Sequence, residues 1–208
     1  MTRFAHEIST CRVPASVADW ARRGTPRTTL TGPRFTRTAY GWYRRSGSST
    51  STAQRILDAA AGLPDGALIA GWAAAYVHGV DQLDGFDDHT LAPLPVPVLL
   101  PPGQRRRPTD GVSYRQSRRA ARHEEVEGVP VTTLVRAALD LALRGATLTE
   151  AVVAVDAVVV RDSSSGGGCS GSSTICSRVG ASVRRAGPSS WPVSAYGARG
   201  SRGCGCSP

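Results

Sequence analysis

Two arginine groups and one acidic loop hold most of the side chains whose types and spacing could do chemistry. Arg34, Arg37, Arg44 and Arg45 alternate with Tyr40, Trp42 and Tyr43. Arg105, Arg106 and Arg107 form a run with Arg115, Arg118, Arg119 and Arg122 behind it. Guanidinium groups on a hairpin can hold the phosphate backbone of a duplex, which supplies affinity without reading bases. Solvated arginines on an ordinary surface fit the same pattern, because all 25 basic residues are Arg and none is Lys. Such usage beside abundant Ala, Gly and Pro is what a GC-rich coding sequence produces.

Asp81, Asp84, Asp87, Asp88 and His89 could gather a divalent cation, since carboxylates supply hard oxygen ligands. A solvated loop accounts for them too, and their spacing matches no calcium-loop pattern. His78 closes an apolar segment just before Gly79, where a histidine stacks on the core or meets the last helix carbonyls more often than it serves as a catalyst. Asp140 lies among the apolar residues of ALDLAL, either as a site carboxylate or hydrogen-bonded to a neighbouring helix end or strand, because buried charge survives only when paired. There is no P-loop, no GxGxxG, no HExxH and no GxSxG. The pattern therefore assigns no cofactor, no catalytic residue and no metal ligand.

These residues need elements to hold them. Pro14 followed by ASVADWARR and Gly24 predicts a short helix with proline in its first turn and a glycine stop. Residues 28–45, rich in Thr and aromatics, predict a hairpin or wing. Ser46 to Thr50 is a linker, and Thr50 or Ser51 caps a helix that ends at Gly62. Further strands are expected at 67–69, at 94–100, at 111–117 and around 124–132. Pro95 and Pro97 argue for an edge position for the second. Helices are expected from Ala70 to Gly79, after Thr132 or Thr133, and from a Thr147–Glu150 capping box through Val160, with Val152, Val155 and Val159 as its apolar stripe. The class is α+β: a small mixed sheet with packed helices, a short N-terminal helix plus wing-like hairpin, and a disordered C-terminal tail. Its divisions are 1–45, a body at 46–162, and a tail at 163–208.

The tail stands apart in composition. All 16 acidic residues lie at or before Asp162, and the 46 residues that follow contain no Asp, Glu, Leu or Phe. So few large apolar side chains cannot offset the entropy of ordering. Of the net charge of +9, +5 belongs to this tail, which leaves residues 1–162 only mildly basic. Four cysteines also sit there, at 169, 176, 204 and 206, without a zinc spacing. No run of about 18 apolar residues is present and the N-terminus lacks a signal-peptide core, so a cytoplasmic protein without membrane contact is expected.

The segments TGPRFTRTAYGWYRR, AAAGLPDGALIAGWAAAYVHGV, PVPVLLPPGQRRRPTDGVSYRQS and VEGVPVTTLVRAALDLA, in that order, resemble the body of a group of actinobacterial proteins. That group is similar to the antitoxin, transcriptional-regulator component of abortive-infection type IV toxin–antitoxin systems. In many members the body precedes a very-short-patch-repair-like endonuclease domain. The resemblance spans about residues 28–160. It implies a non-catalytic, antitoxin-like regulatory protein that binds a cognate toxin protein or, weakly, DNA. The alternative it implies is an inactive, truncated member of the endonuclease-domain group. Where relatives begin with a full winged-helix unit, this sequence offers one short helix and a hairpin, with no clear recognition helix. YGARGSRGCGCS near the C-terminus can be encoded by codons that, read two bases downstream, spell RSPWESRLRML, which resembles the entry to the nuclease-like domain. The tail is accordingly read as a frameshift product.

Overall fold

Thr2 accepts a hydrogen bond from the Ala5 N–H and starts α1 (Arg3–Ile8), a helix absent from the sequence reading. β1 (Ala15–Ser16) follows and leads straight into α2 (Val17–Arg22). Ser16, rather than Pro14, opens α2. Its hydroxyl accepts from Asp19 N–H while the Asp19 carboxylate accepts from Ser16 N–H, a reciprocal capping box. At the other end Gly24 takes a φ of +77°, Gly24 N–H reaches Ala21 O, and Thr25 N–H reaches Trp20 O. That is a Schellman stop, and only glycine adopts its left-handed geometry at no steric cost.

The stretch expected to be strand from residue 28 instead forms α3 (Arg27–Leu30) before the chain extends into β2 (Phe35–Ala39) and β3 (Trp42–Arg45). Pro26 sets the entry angle of α3, and Leu30 is drawn inward beside Trp20, so burial overrides the β preference of Thr28 and Thr29. These strands form an antiparallel sheet in the order β1-β3-β2. Trp20 seals it: its indole N–H donates to Tyr43 O at 2.9 Å and its ring meets Phe35 edge-on at 5.0 Å.

The computed structural model describes residues 2–47, 51–118, 121–143 and 148–164. In its second part α4 (Thr52–Ala61), capped by Ser51, is followed by β4 (Leu68–Ile69), α5 (Gly71–Val77), β5 (Val96–Leu100), β6 (Val112–Gln116), β7 (His123–Val126), β8 (Val129–Thr132), α6 (Leu134–Ala142) and α7 (Leu148–Ser164). The strands make a mixed sheet ordered β6-β5-β4-β8-β7, parallel at β5–β6 and β4–β8. The fold is α+β. Ile69, Val96, Val98, Leu100, Val129 and Val131 are all buried on one face of this sheet, and α4 and α5 pack across the strands. Each such side chain is worth about 1.5–3 kcal/mol on burial. Phe4 of α1 joins this core against Tyr76, so the first helix packs with the body although it precedes the hairpin unit in the chain.

Three expectations change here. β5 is an interior strand despite Pro97. The missing N–H faces β4 where that strand has ended, and Pro97 O accepts instead from Ala70 N–H as the chain turns into α5. The segment near 124–132 is a hairpin, β7 and β8, closed by Glu127 (φ +50°) and Gly128 (φ +75°). Two left-handed residues are what a type I′ turn needs. On α7 Val155 and Val159 of the expected stripe do pack partly buried against the core, and among the described residues Val158, which the stripe left out, is the fully buried one, while Val153 and Val160 are exposed. Thr147, and the tail from residue 165 with its disorder and frameshift readings, lie outside the described residues. Among the described residues no helix is long and apolar enough to cross a membrane.

Candidate nucleic-acid interface

Strand pleat sorts the first arginine group. Phe35 pairs with Arg45 and Arg37 with Tyr43, so these four share one face of the hairpin, while Thr36 and Arg44 share the other. Phe35 and Tyr43 pack on Trp20 and Leu30, which leaves Arg37 and Arg45 exposed beside the small core. Arg37 lies over the Tyr40 ring at 5.4 Å, and Tyr40, at the hairpin tip, is 88% exposed. Arg34 is exposed in the α3–β2 connection.

Arg44 departs from the sequence expectation. Only 7% exposed, it turns to the opposite face and donates from Nε to Asp58 Oδ2 on α4 at 2.9 Å. A guanidinium committed to a half-buried carboxylate is a joint between the hairpin and the body, and it is removed from the phosphate-facing set. Burial pushes the Asp58 carboxyl above its ordinary range, against the opposing pull of Arg44 and Gln54. Gln54, 1% exposed, extends the joint: it donates to Asp58 Oδ1 and Arg12 O and accepts from Arg12 N–H.

Residues that sequence reasoning missed complete the surface. The α2 and α3 helices are joined by Arg23, Gly24, Thr25 and Pro26, a helix–turn–helix connection. Arg22 and Arg23 are exposed where α2 ends, with Arg23 over the Trp20 ring at 5.3 Å. On α3, Arg27, Thr28 and Thr29 face solvent while Leu30 is buried. The signal was in the sequence: Ser16 and Asp19 have capping-box spacing, and Gly24 and Pro26 punctuate two helices rather than ending one.

The second arginine group lies on the β5–β6 connection, where Arg105, Arg106 and Arg107 are all exposed. Arg106 Nη1 donates to Gly62 O at 3.2 Å, a cation at the C-terminus of α4. Gly62 also meets the hairpin: a Cβ there would stand 2.4 Å from Ala39 Cβ. The end of α4 thus brings Arg106 up to the hairpin tip, a proximity invisible in the sequence.

The remaining candidates have structural partners. Asp87 Oδ1 accepts from Thr90 N–H, Thr90 Oγ1 and His89 N–H, which hold its carboxyl below the ordinary range, and Asp84 Oδ1 accepts from Phe86 N–H. These carboxylates cap turns of a loop that wraps Arg55, whose guanidinium lies between Trp72 and Phe86 and donates to Gly85 O and Leu94 O. Among the described residues no three His, Cys, Asp or Glu side chains, Asp81, Asp88 and His89 included, gather to hold a metal. His78 Nε2 lies 2.9 Å from Thr132 O, tying α5 to β8. Asp140 pairs within its own helix with Arg136 at 3.0 Å.

No family model, no curated protein and no solved structure matches this chain. The geometry of the helix pair and hairpin therefore carries the functional argument.

Proposed function

We propose that this chain is a non-catalytic, antitoxin-like regulatory protein whose α2–α3 pair and hairpin bind duplex DNA. One observation supports this above the rest: a helix–turn–helix with exposed Arg27, Thr28 and Thr29 on its second helix is followed directly by a two-stranded wing that exposes Arg37 and Arg45. In such units the second helix enters the major groove and flanking basic groups hold the backbone. A second helix of four residues presents few side chains to base edges. Phosphate contact then dominates, and binding is weak, nearly sequence-independent and strongly salt-dependent. The family resemblance agrees with a regulator, with a toxin protein as a further partner.

A second reading, the inactive scaffold of an endonuclease-domain protein, draws on the loss of all acidic residues after Asp162, since metal-dependent nucleases need carboxylates and usually a lysine.

Fluorescence anisotropy with a labelled duplex tests the proposal on the full chain. Arg27→Ala with Arg37→Ala is expected to weaken binding and to flatten the slope of log affinity against log salt by about one to two units. The tail arginines are common to both proteins, so the difference reports the helix–hairpin unit. An unchanged slope would assign duplex binding elsewhere and remove this reading.

A further inference from the structure

A groove of about 530 Å³ opens at the end of the larger sheet, beside the C-terminal end of α4. Its lining is apolar, with Leu63, Leu68, Leu99, Pro101 and Pro130 prominent, and Ser117 and His123 add polar edges. Leu68 and Leu99, register partners on the sheet face opposite the one that α4 and α5 cover, are buried beneath the groove, and the partly exposed Leu63, Pro101 and Pro130 form its walls. The volume falls within the range of small-ligand and peptide clefts.

The chain segments that flank the groove are rich in arginine. The β5–β6 connection borders the groove after Pro101 and is tied to its α4 side twice, by Arg106 to Gly62 O and by Gln104 Nε2 to Asp65 O at 3.4 Å. Arg105 and Arg107 on that connection, and Arg118 and Arg122 after β6, are exposed and have no carboxylate partner among the described residues. Asp65 and Glu125 are nearby exposed carboxylates, outnumbered by the arginines.

We propose that this groove docks an acidic peptide segment of a partner protein, with large apolar side chains against Leu63, Pro101 and Pro130 and carboxylates on the flanking Arg105, Arg107, Arg118 and Arg122. Charge complementarity selects the acidic strand and the partly exposed apolar walls select its apolar residues. A phosphate backbone would satisfy the rim and leave those walls in water. The inference is independent of duplex binding by the helix–hairpin unit.

The test uses the full chain and a fluorescein-labelled peptide in which glutamates alternate with leucine and phenylalanine, read by anisotropy. Saturable binding is expected. It should weaken about tenfold or more in Arg105→Glu/Arg107→Glu, in Ala60→Leu, which intrudes on the groove, and when serine replaces the apolar residues of the peptide. The serine peptide needs no change in the protein, so misfolding of a variant cannot mimic the result. Arg27→Ala/Arg37→Ala should leave peptide binding unchanged. Four results would overturn the proposal: no binding; equal binding of the serine peptide, which marks bare charge attraction; indifference to the rim arginines; or self-association abolished by Ala60→Leu, which makes a second copy the occupant.

Discussion

Around Trp20 the helix–hairpin unit closes on Ala15 and Leu30, with Val17, Phe35 and Tyr43 alongside, whereas the body closes on a continuous core that runs from Phe4 through Ile56, Ile69, Tyr76 and Val98 to Val158. One region leans on a single indole and its hydrogen bond; the other spreads its burial over many aliphatic side chains. The difference teaches that the small unit cannot stand on its own core. A joint of Gln54, Asp58 and Arg44, and the close approach of Ala39 to Gly62, fasten it to α4. The surface proposed to meet DNA is thus set on the less stable part and held in place by the more stable one.

The largest expected effect breaks the small core. Trp20→Ala removes a ring that is 6% exposed and should cost about 3–5 kcal/mol. If the two regions differ as argued, amide exchange rises first in residues 15–45 while the body sheet stays protected. Ile69→Ala, at about 2–5 kcal/mol, should instead lower protection throughout. Uniform loss in both variants would show a single cooperative unit.

Next comes the joint. Asp58→Ala leaves the Arg44 charge buried without its carboxylate and should cost about 3 kcal/mol, the low end for a broken buried pair because Asp58 keeps 22% exposure. Replacing Arg44 by Met and Asp58 by Leu together should recover most of that loss, as chemical denaturation would show. The pH dependence has a definite sign. The folded carboxyl of Asp58 is raised above its unfolded value, so the folded chain holds this proton more tightly. Its contribution is complete below the ordinary carboxylate range and is lost as pH rises through the raised value. Across that window wild type should lose stability relative to Asp58→Asn, and a parallel pair of curves would contradict the burial argument.

Gly62→Ala probes the seam itself. The added methyl meets Ala39 Cβ at 2.4 Å, so the hairpin must move, at about 1–3 kcal/mol. Duplex affinity should change although no arginine has been touched, and Ala39→Gly should restore it by making room.

The smallest effect lies far from the joint. Glu127 holds a φ of +50° in the β7–β8 turn, where asparagine is at home, and Glu127→Asn should stabilise the body by about 0.5–1 kcal/mol. Thermal melting should show a modest rise without any change in duplex binding.

Local chemistry made much of this chain legible. Ser51 caps α4 and Gly62 ends it, Thr133 caps α6, and Gly24 stops α2, as short-range rules require. The positions of the strands near 67–69, 94–100 and 111–117 also followed from apolar patterning. What the chain order could not decide was orientation and partnership. Arg44 and Arg45 are adjacent and chemically identical, yet pleat sends one to Asp58 and the other to solvent. Thr28 to Leu30 read as strand until Leu30 found Trp20. Pro97 reads as an edge residue, and only the early end of β4 lets it lie inside the sheet. Arg106 and Ala39 stand 67 positions apart and meet at Gly62 because α4 ends there. Caps and turns are settled within one turn of chain, where hydrogen bonds are local. Which charge is buried, and which arginines share a surface, depends on contacts between elements, and those exist only once the two cores have closed.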